Sequence, residues 1–314
     1  MEDSMPRPPE FPGGDPLFSV RTGSRGIVVV TGKDRIGFLT RIMSGELPEA
    51  PGAARTALLG PRGNLIAPAV ATVTNGAVLL ECERTREEAL AAALDRYRIA
   101  DDVEIALAER GDFEIVCTDA APKPGRPDAG SGGWVVETGA GFVRRDFRPW
   151  PAKTVVHVGL RAGGHVSFRD LIEGGGESVE ASPEEQEYLR ILAGEPRWGA
   201  ELDERSLPLQ SGLSAHVRLG KGCYIGQEYV ARQAHRGRIP RVLRRLEFDE
   251  EFVPQADSAV VFHADPAGRV TSAARRPTGW GGPGAVALAV VSADVPAGAY
   301  VQVLRGPTAR LVGI

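Results

Sequence analysis

Cysteine is scarce in this sequence. Three occur in 314 residues, Cys82, Cys117 and Cys223, and no two form a C-x-x-C pair. A scattered, odd-numbered set argues against a disulfide framework and against a self-contained zinc site, and fits a reducing cytoplasm. No apolar run approaches the roughly 18 residues that a membrane-spanning helix needs, so no transmembrane segment is expected. No G-x-G-x-x-G follows a strand and opens a helix, and no G-x-x-x-x-G-K-[ST] occurs, so the usual nucleotide phosphate cradles are unsupported. A G-x-S-x-G nucleophile elbow is also missing. The five histidines, His157, His165, His216, His235 and His263, carry no spacing signal and read as structural or surface groups. His235, close after Cys223, is the one set apart. A net charge of −4 and a pI near 5.9 give no overall drive toward nucleic acid.

What is present is the composition of an ordinary folded chain, 42% hydrophobic and 25% charged. The acidic, proline-rich start lacks the apolar centre of a signal peptide, and residues 1–17 are expected to form a disordered arm. "GIVVVTG" (26–32) reads as a strand. Asp34 is expected to cap a helix whose apolar positions are Phe38, Leu39, Ile42 and Met43, stopped at Gly45. Residues 55–83 read as a meander turning at "GPRGN" and at Asn75-Gly76. A helix over 85–97 is expected to carry a Thr85/Glu88 capping box. Strands follow at 103–110, 113–119 and 153–160, with a hairpin around Gly139-Ala140-Gly141 and a Pro/Gly-rich loop at 120–133. A second helix over 182–194 combines Ser182 as cap, Pro183 at its first position, Glu185 closing the box and Gly194 as stop. After Pro240 only short strand-like runs appear, the pattern of a small β-barrel or sandwich. The expected class is α+β with antiparallel sheet. It divides into a region at 18–238 and a C-terminal β-barrel at 239–314.

Two stretches carry chemistry. In "LGKGCYIGQEYVAR" (219–232), Gly222 and Gly226 flank Cys223-Tyr224-Ile225. The glycines permit close backbone approach or positive φ. Lys221, Arg232 and Arg236 favour a thiolate, and Gln227 and Glu228 offer directional hydrogen bonds. A reactive thiol, a contact to a metal supplied from elsewhere, and a tight turn with a buried cysteine all remain open. "RILAGEPRWGAELDERSLPLQ" (190–210) sets Arg190, Glu195, Arg197, Trp198 and Glu201 within a dozen residues, where an arginine could clamp a carboxylate and the tryptophan could stack on a flat ring, together suiting an acidic, planar ligand. A solvated charged loop around a core tryptophan is the alternative. Arg232, His235, Arg236, Arg238, Arg241, Arg244 and Arg245 form a basic cluster able to meet phosphates, or simply a solvated barrel-entry face.

"KGCYIGQEYVAR" resembles the K-G-C-[YF]-x-G-Q-E signature of the YgfZ-type folate-binding proteins, which are related to the glycine cleavage T-protein. "ILAGEPRWGAELDERSLPLQSGL" before it, and "RGRIPRVLRRL" and "GRVTSAA…GAVALAVV" after it, match further family segments. "GKDRIGFL" and "LDRYRIADDVEI" match more weakly, so the resemblance covers roughly residues 25–312. It implies a folate-binding α+β region around a central cavity and a C-terminal β-barrel. It also implies tetrahydrofolate or a derivative as cofactor, and a role in assembly or repair of iron–sulfur clusters and thereby in tRNA thiolation. The expected partners are folate and iron–sulfur client or assembly proteins, with no membrane and no direct tRNA contact. Cys223 and Lys221 are then the expected catalytic pair, the lysine lowering the thiol's pKa. Gly222, Tyr224, Gly226, Gln227 and Glu228 form the motif loop, Arg197 and Trp198 are the expected folate contacts, and no metal ligand is assigned. One departure argues against T-protein transfer chemistry. Ala67 and Pro68 stand where that class carries acids, and no Asp or Glu lies between Gly63 and Leu80. Whether the chain is an enzyme stays open, with tetrahydrofolate-dependent aminomethyl transfer as the alternative function.

Overall fold

In the computed structural model, residues 25–48, 51–108, 181–236 and 239–314 are described, together with strands at 17–21, 113–118, 135–138, 141–145, 154–160 and 178–180. Residues 1–16 of the expected N-terminal arm and the 120–133 loop lie outside the described residues, while Leu17 opens the first strand. β1 (Leu17–Arg21) precedes β2 (Arg25–Thr31), α1 (Arg35–Ile42) and the meander β3 (Gly52–Leu59), β4 (Leu65–Val73) and β5 (Val78–Glu83). α2 (Arg84–Tyr97) and β6 (Glu104–Leu107) follow. Next come β7 (Phe113–Thr118), β8 (Val135–Thr138), β9 (Gly141–Arg145), β10 (Thr154–Leu160) and β11 (Ser178–Glu180). α3 (Pro183–Leu192) and α4 (Gln227–Arg236) lead into β12 (Arg241–Phe248), β13 (Ala259–Phe262), β14 (Asp265–Arg275), β15 (Ala285–Ser292), β16 (Tyr300–Val303) and β17 (Thr308–Val312).

The strands assemble into a five-stranded sheet ordered β3-β4-β5-β2-β6, a six-stranded sheet ordered β11-β1-β7-β10-β9-β8, and a closed barrel β12-β15-β14-β13-β16-β17. Every described pairing is antiparallel except β1 with β11. The α+β class with a C-terminal barrel is therefore observed.

Period-two alternation divides the five-stranded sheet into two faces. One carries Val28, Val30, Ala69, Ala71, Leu80 and Cys82, and packs on Phe38, Leu39 and Ile42 of α1 and on Leu90 and Leu94 of α2. Each such buried Leu or Phe contributes roughly 1.5–3 kcal/mol. The opposite face carries the charges described below. The barrel interior is filled by Leu246, Phe248, Val260, Val270, Val301 and Leu311. α3 seals its outer wall, with Tyr188, Leu189 and Ile191 against Leu243, Trp280 and Leu288. The Tyr188 and Trp280 rings meet edge-on at 6.0 Å.

Three local expectations change. Asp34 precedes α1 but makes no side-chain cap; its carboxylate instead accepts the Asp102 amide at 2.8 Å, tying the α1 entry to the β6 approach. The Thr85/Glu88 box does not form, because β5 runs straight into α2 with Glu83 at the cap position, which puts Thr85 inside the first turn. The segment after Cys223 is not all loop, since Gln227 opens α4. The Ser182/Glu185 box is present in both directions, with Pro183 at the start of α3.

Candidate functional site

A cavity of about 180 Å³ opens on the charged face of the five-stranded sheet. Register explains its lining. Arg55 of β3, Val70 of β4 and Glu81 of β5 are successive cross-strand partners, and Arg25 of β2 pairs with Glu83. Directly opposed residues share a face. Pro68, two positions from Val70, therefore lies on the same face, while Ala67 is fully buried in the helical core. The far wall comes from the segments at 193–196 and 212–216 and from Ile314.

The cavity is electrically structured. Arg25 Nε donates to Glu81 Oε1 at 2.8 Å, with the glutamate side chain 3% exposed. Glu83 Oε1 accepts the Trp198 amide at 2.8 Å, and burial raises the Glu83 carboxyl above its ordinary pKa despite that bond. His216 ends a short 3-10 turn at Ser214–His216. Its backbone is fixed, with the amide donating to Leu213 O and the carbonyl accepting from Ser44 Oγ at 2.8 Å. Burial, reinforced by Arg55 and Arg25, pushes the imidazole down to a pKa of about 3, so it is neutral at physiological pH. Its Nδ1 is buried with no hydrogen-bond partner among the described residues.

This lining corrects one inference from the sequence. Pro68 faces the cavity and β4 offers no acid there, yet Glu81 and Glu83 on the neighbouring strand do. A linear window over 63–80 could not find them, because a sheet places cross-strand partners side by side. Arg25, Arg55 and His216 were also missed as cavity residues. The signal was the alternation in β5, where Glu81 and Glu83 interleave with Leu80 and Cys82.

The K-G-C-Y loop sits elsewhere. Cys223 is exposed. Tyr224 is 7% exposed and packs with Ala57, Leu59, Leu65, Leu202, Leu213 and Val230. Because Leu213 also lines the cavity, the motif and the cavity share one apolar cluster. Lys221 Nζ donates to the carbonyls of Thr40, Met43 and Gly45 at 2.9, 2.6 and 2.7 Å. Burial lowers its pKa to about 8. All three ammonium protons have acceptors at the carboxyl end of α1, where a cation complements the helix dipole. Lys221 thus anchors its own loop to the end of α1. The glycines also separate. Gly226 has φ +78, and a Cβ there would lie 2.5 Å from Gly60 O; Gly222 has neither constraint. Gln227 begins α4, its amide donating to Tyr224 O. Glu228 accepts from Arg232 at 2.6 Å.

Arg197 and Trp198 do not line the cavity. The Arg197 guanidinium pairs with Glu187 at 3.1 Å, and Arg86 lies 3.9 Å over the Trp198 ring. Both side chains are engaged within the protein, and their neighbours Glu195 and Pro196 reach the cavity. The basic cluster is likewise not one open surface. Arg232 is paired, Arg245 is bound to Glu247 at 2.8 Å and donates to Leu192 O, and the Arg244 Nε is buried. The side chains of Arg236 and Arg238 lie outside the described residues. Among the described residues no group of three His, Cys, Asp or Glu could hold a metal ion, and no helix is long and apolar enough to cross a membrane.

The glycine cleavage system aminomethyltransferase T of Bartonella henselae superposes with a TM-score of 0.74 over 94% of this chain and 84% of its own, at 17% identity. The fold is T-protein-like. At that identity the likeness concerns the fold alone. In sequence, the chain is 33% identical to the aminomethyltransferase of Moorella thermoacetica over 147 residues, 46% of this chain and 39% of that protein. It is 32% identical to the aminomethyltransferase of Rubrobacter xylanophilus over 147 residues, 46% of this chain and 38% of that protein. It is 34% identical to that of Streptomyces coelicolor over 119 residues, 36% of this chain. The matches thus span less than half the length of these curated relatives. No family model matches the chain.

Proposed function

We propose that this chain is a folate-binding protein of T-protein-like fold that supports iron–sulfur cluster assembly or repair through Cys223. The observation that carries the folate part is the cavity, a built recess that mixes two arginines, three glutamates and a histidine against the apolar Pro68 and Leu213. Small-ligand sites combine an apolar wall with a few convergent polar groups in this way. Arg25, Arg55, Glu81 and Glu83 would hold a flat, polar-edged ring, and the unmatched His216 Nδ1 is in keeping with a site completed by a ligand. Tetrahydrofolate, when bound, supplies a one-carbon carrier. Calorimetric titration with 5-formyltetrahydrofolate tests this part: saturable binding at micromolar to low millimolar ligand is expected, and no heat at any concentration refutes it.

The thiol part rests on Cys223 being exposed on a loop tied to the cavity through Tyr224 and Leu213. A single thiol falls short of the ligands a cluster needs, so a client or assembly protein would complete any cluster contact. Cys223→Ser is expected to abolish rescue of an iron–sulfur enzyme defect. Lys221→Met, by loosening the loop from α1, is expected to lower rescue mainly through lost stability. Full rescue by Cys223→Ser would remove the thiol from the function. The segmentation into a cavity region at 18–238 and a barrel at 239–314 belongs to this proposal.

A second reading, tetrahydrofolate-dependent aminomethyl transfer, is favoured by the names of the curated relatives and by Glu81 and Glu83. The half-buried Glu83 carboxyl, of raised pKa and in the cavity wall, is suited to proton transfer. Turnover of an aminomethyl donor with tetrahydrofolate, lost in Glu83→Gln and retained in Cys223→Ser, would establish it.

A further inference from the structure

Among the described residues that line the cavity, half-buried His216 holds the one buried side-chain polar atom without a hydrogen-bond partner. The residue lines the recess, its backbone is held at both ends by Leu213 and Ser44, and its solvent-shielded Nδ1 has no partner among the described residues. A buried polar atom without a partner costs roughly 1–3 kcal/mol in the folded state. An apolar side chain would line the same wall without that cost. We propose that His216 is a specificity-determining residue of the cavity, whose Nδ1 hydrogen-bonds the polar edge of the bound heterocycle. The surroundings restrict that ligand. Arg25 and Arg55 line the same cavity and act on the imidazole electrostatically, and Glu81 and Glu83 stand on the same sheet face. A neutral ring nitrogen among fixed charges can accept or donate according to its tautomer. It therefore reads a ring that alternates donors and acceptors along one edge, and it rejects a purely apolar ring that would leave Nδ1 unmatched. This assignment rests on the folate reading above and names the residue that would select the ring within it.

The test exploits an opposition of signs. His216→Leu removes the unmatched nitrogen, so the ligand-free protein should unfold at the same or a higher temperature than wild type. The same variant should bind 5-formyltetrahydrofolate roughly five- to tenfold more weakly by calorimetry, the loss expected for one hydrogen bond. His216→Asn, which retains a donor and an acceptor, should recover part of the affinity. A histidine with only a packing role would lower ligand-free stability and affinity together, and that result overturns the proposal. Wild-type binding with unchanged His216→Leu affinity overturns the His216 assignment alone. Absence of wild-type binding overturns the folate reading and this assignment with it.

Discussion

Gly226 shows what a single position decides in the K-G-C-Y-x-G-Q-E loop. Its positive φ and the 2.5 Å approach of Gly60 O leave no room for a side chain. Gly226→Ala should therefore destabilise the protein by about 2–3 kcal/mol in urea unfolding, through strain plus displacement of the 60–64 turn. Gly222 has open space around it and an ordinary φ, so Gly222→Ala should stay within about 0.5 kcal/mol. His216 sets a second expectation, in pH. Its folded pKa of about 3 lies below the ordinary value of 6.5, so between these limits the unfolded state binds the proton and the folded state does not. Stability should fall as pH drops from 6.5 toward 3. His216→Leu should flatten that part of the curve, and wild type and variant whose difference in stability does not change with pH would contradict a buried neutral imidazole. Arg25, Arg55, Glu81 and Glu83 share the cavity in both proteins, so the comparison isolates the imidazole.

At the scale of elements, the two helix starts separate a sequence pattern from its realisation. Both Thr85/Glu88 and Ser182/Glu185 satisfy the capping-box spacing. Only Ser182 stands at a helix boundary, because the extended residue before α3 leaves its hydroxyl outside the first turn to accept the Glu185 amide. α2 starts one residue before Thr85, since β5 feeds it directly. Ser182→Ala should accordingly cost about 1 kcal/mol, whereas Thr85→Ala, at an exposed helical site, should cost nothing or slightly stabilise. Thermal unfolding of the two variants side by side checks the contrast.

For the whole molecule, the junction between the cavity region and the barrel is neither a linker nor a solvent gap. Glu201, with its side chain wholly buried, accepts from Arg190 at 3.1 Å, from the Arg197 amide at 3.0 Å and from Ser272 of β14 at 2.5 Å. Arg190 also holds Glu187 at 2.7 Å. Beside this network, Ile314 after β17 packs against Gly194 at the cavity wall, where a glycine Cβ would lie 2.3 Å from it. Glu201→Ala leaves Arg190 with Glu187 as its remaining carboxylate and strips the Arg197 amide and the Ser272 hydroxyl of their acceptor, and about 3 kcal/mol of stability should be lost in a single unfolding transition. Two separated transitions in the wild type, with only one affected, would show that the barrel and the cavity region unfold independently.

Much of this architecture was legible in the sequence because it depends on local physics. Period-two runs mark β2 to β5 and the barrel strands, turn residues mark their connections, and the Ser182 box marks α3. The K-G-C-Y-x-G-Q-E stretch was legible as a loop constrained by its glycines. The roles of its charged and thiol side chains were not, because a lysine two residues from a cysteine in the chain can point to another element. Only the tertiary structure engaged Lys221 with the end of α1, withdrew Arg197 and Trp198 into a network of ion and ring contacts, and brought Glu81 and Glu83 to the wall where β4 has Pro68. The physical reason is the same in each case. Hydrogen bonds and ion pairs act through a few ångströms of space, and sheet register and helix packing, not chain spacing, decide which side chains fall within that reach.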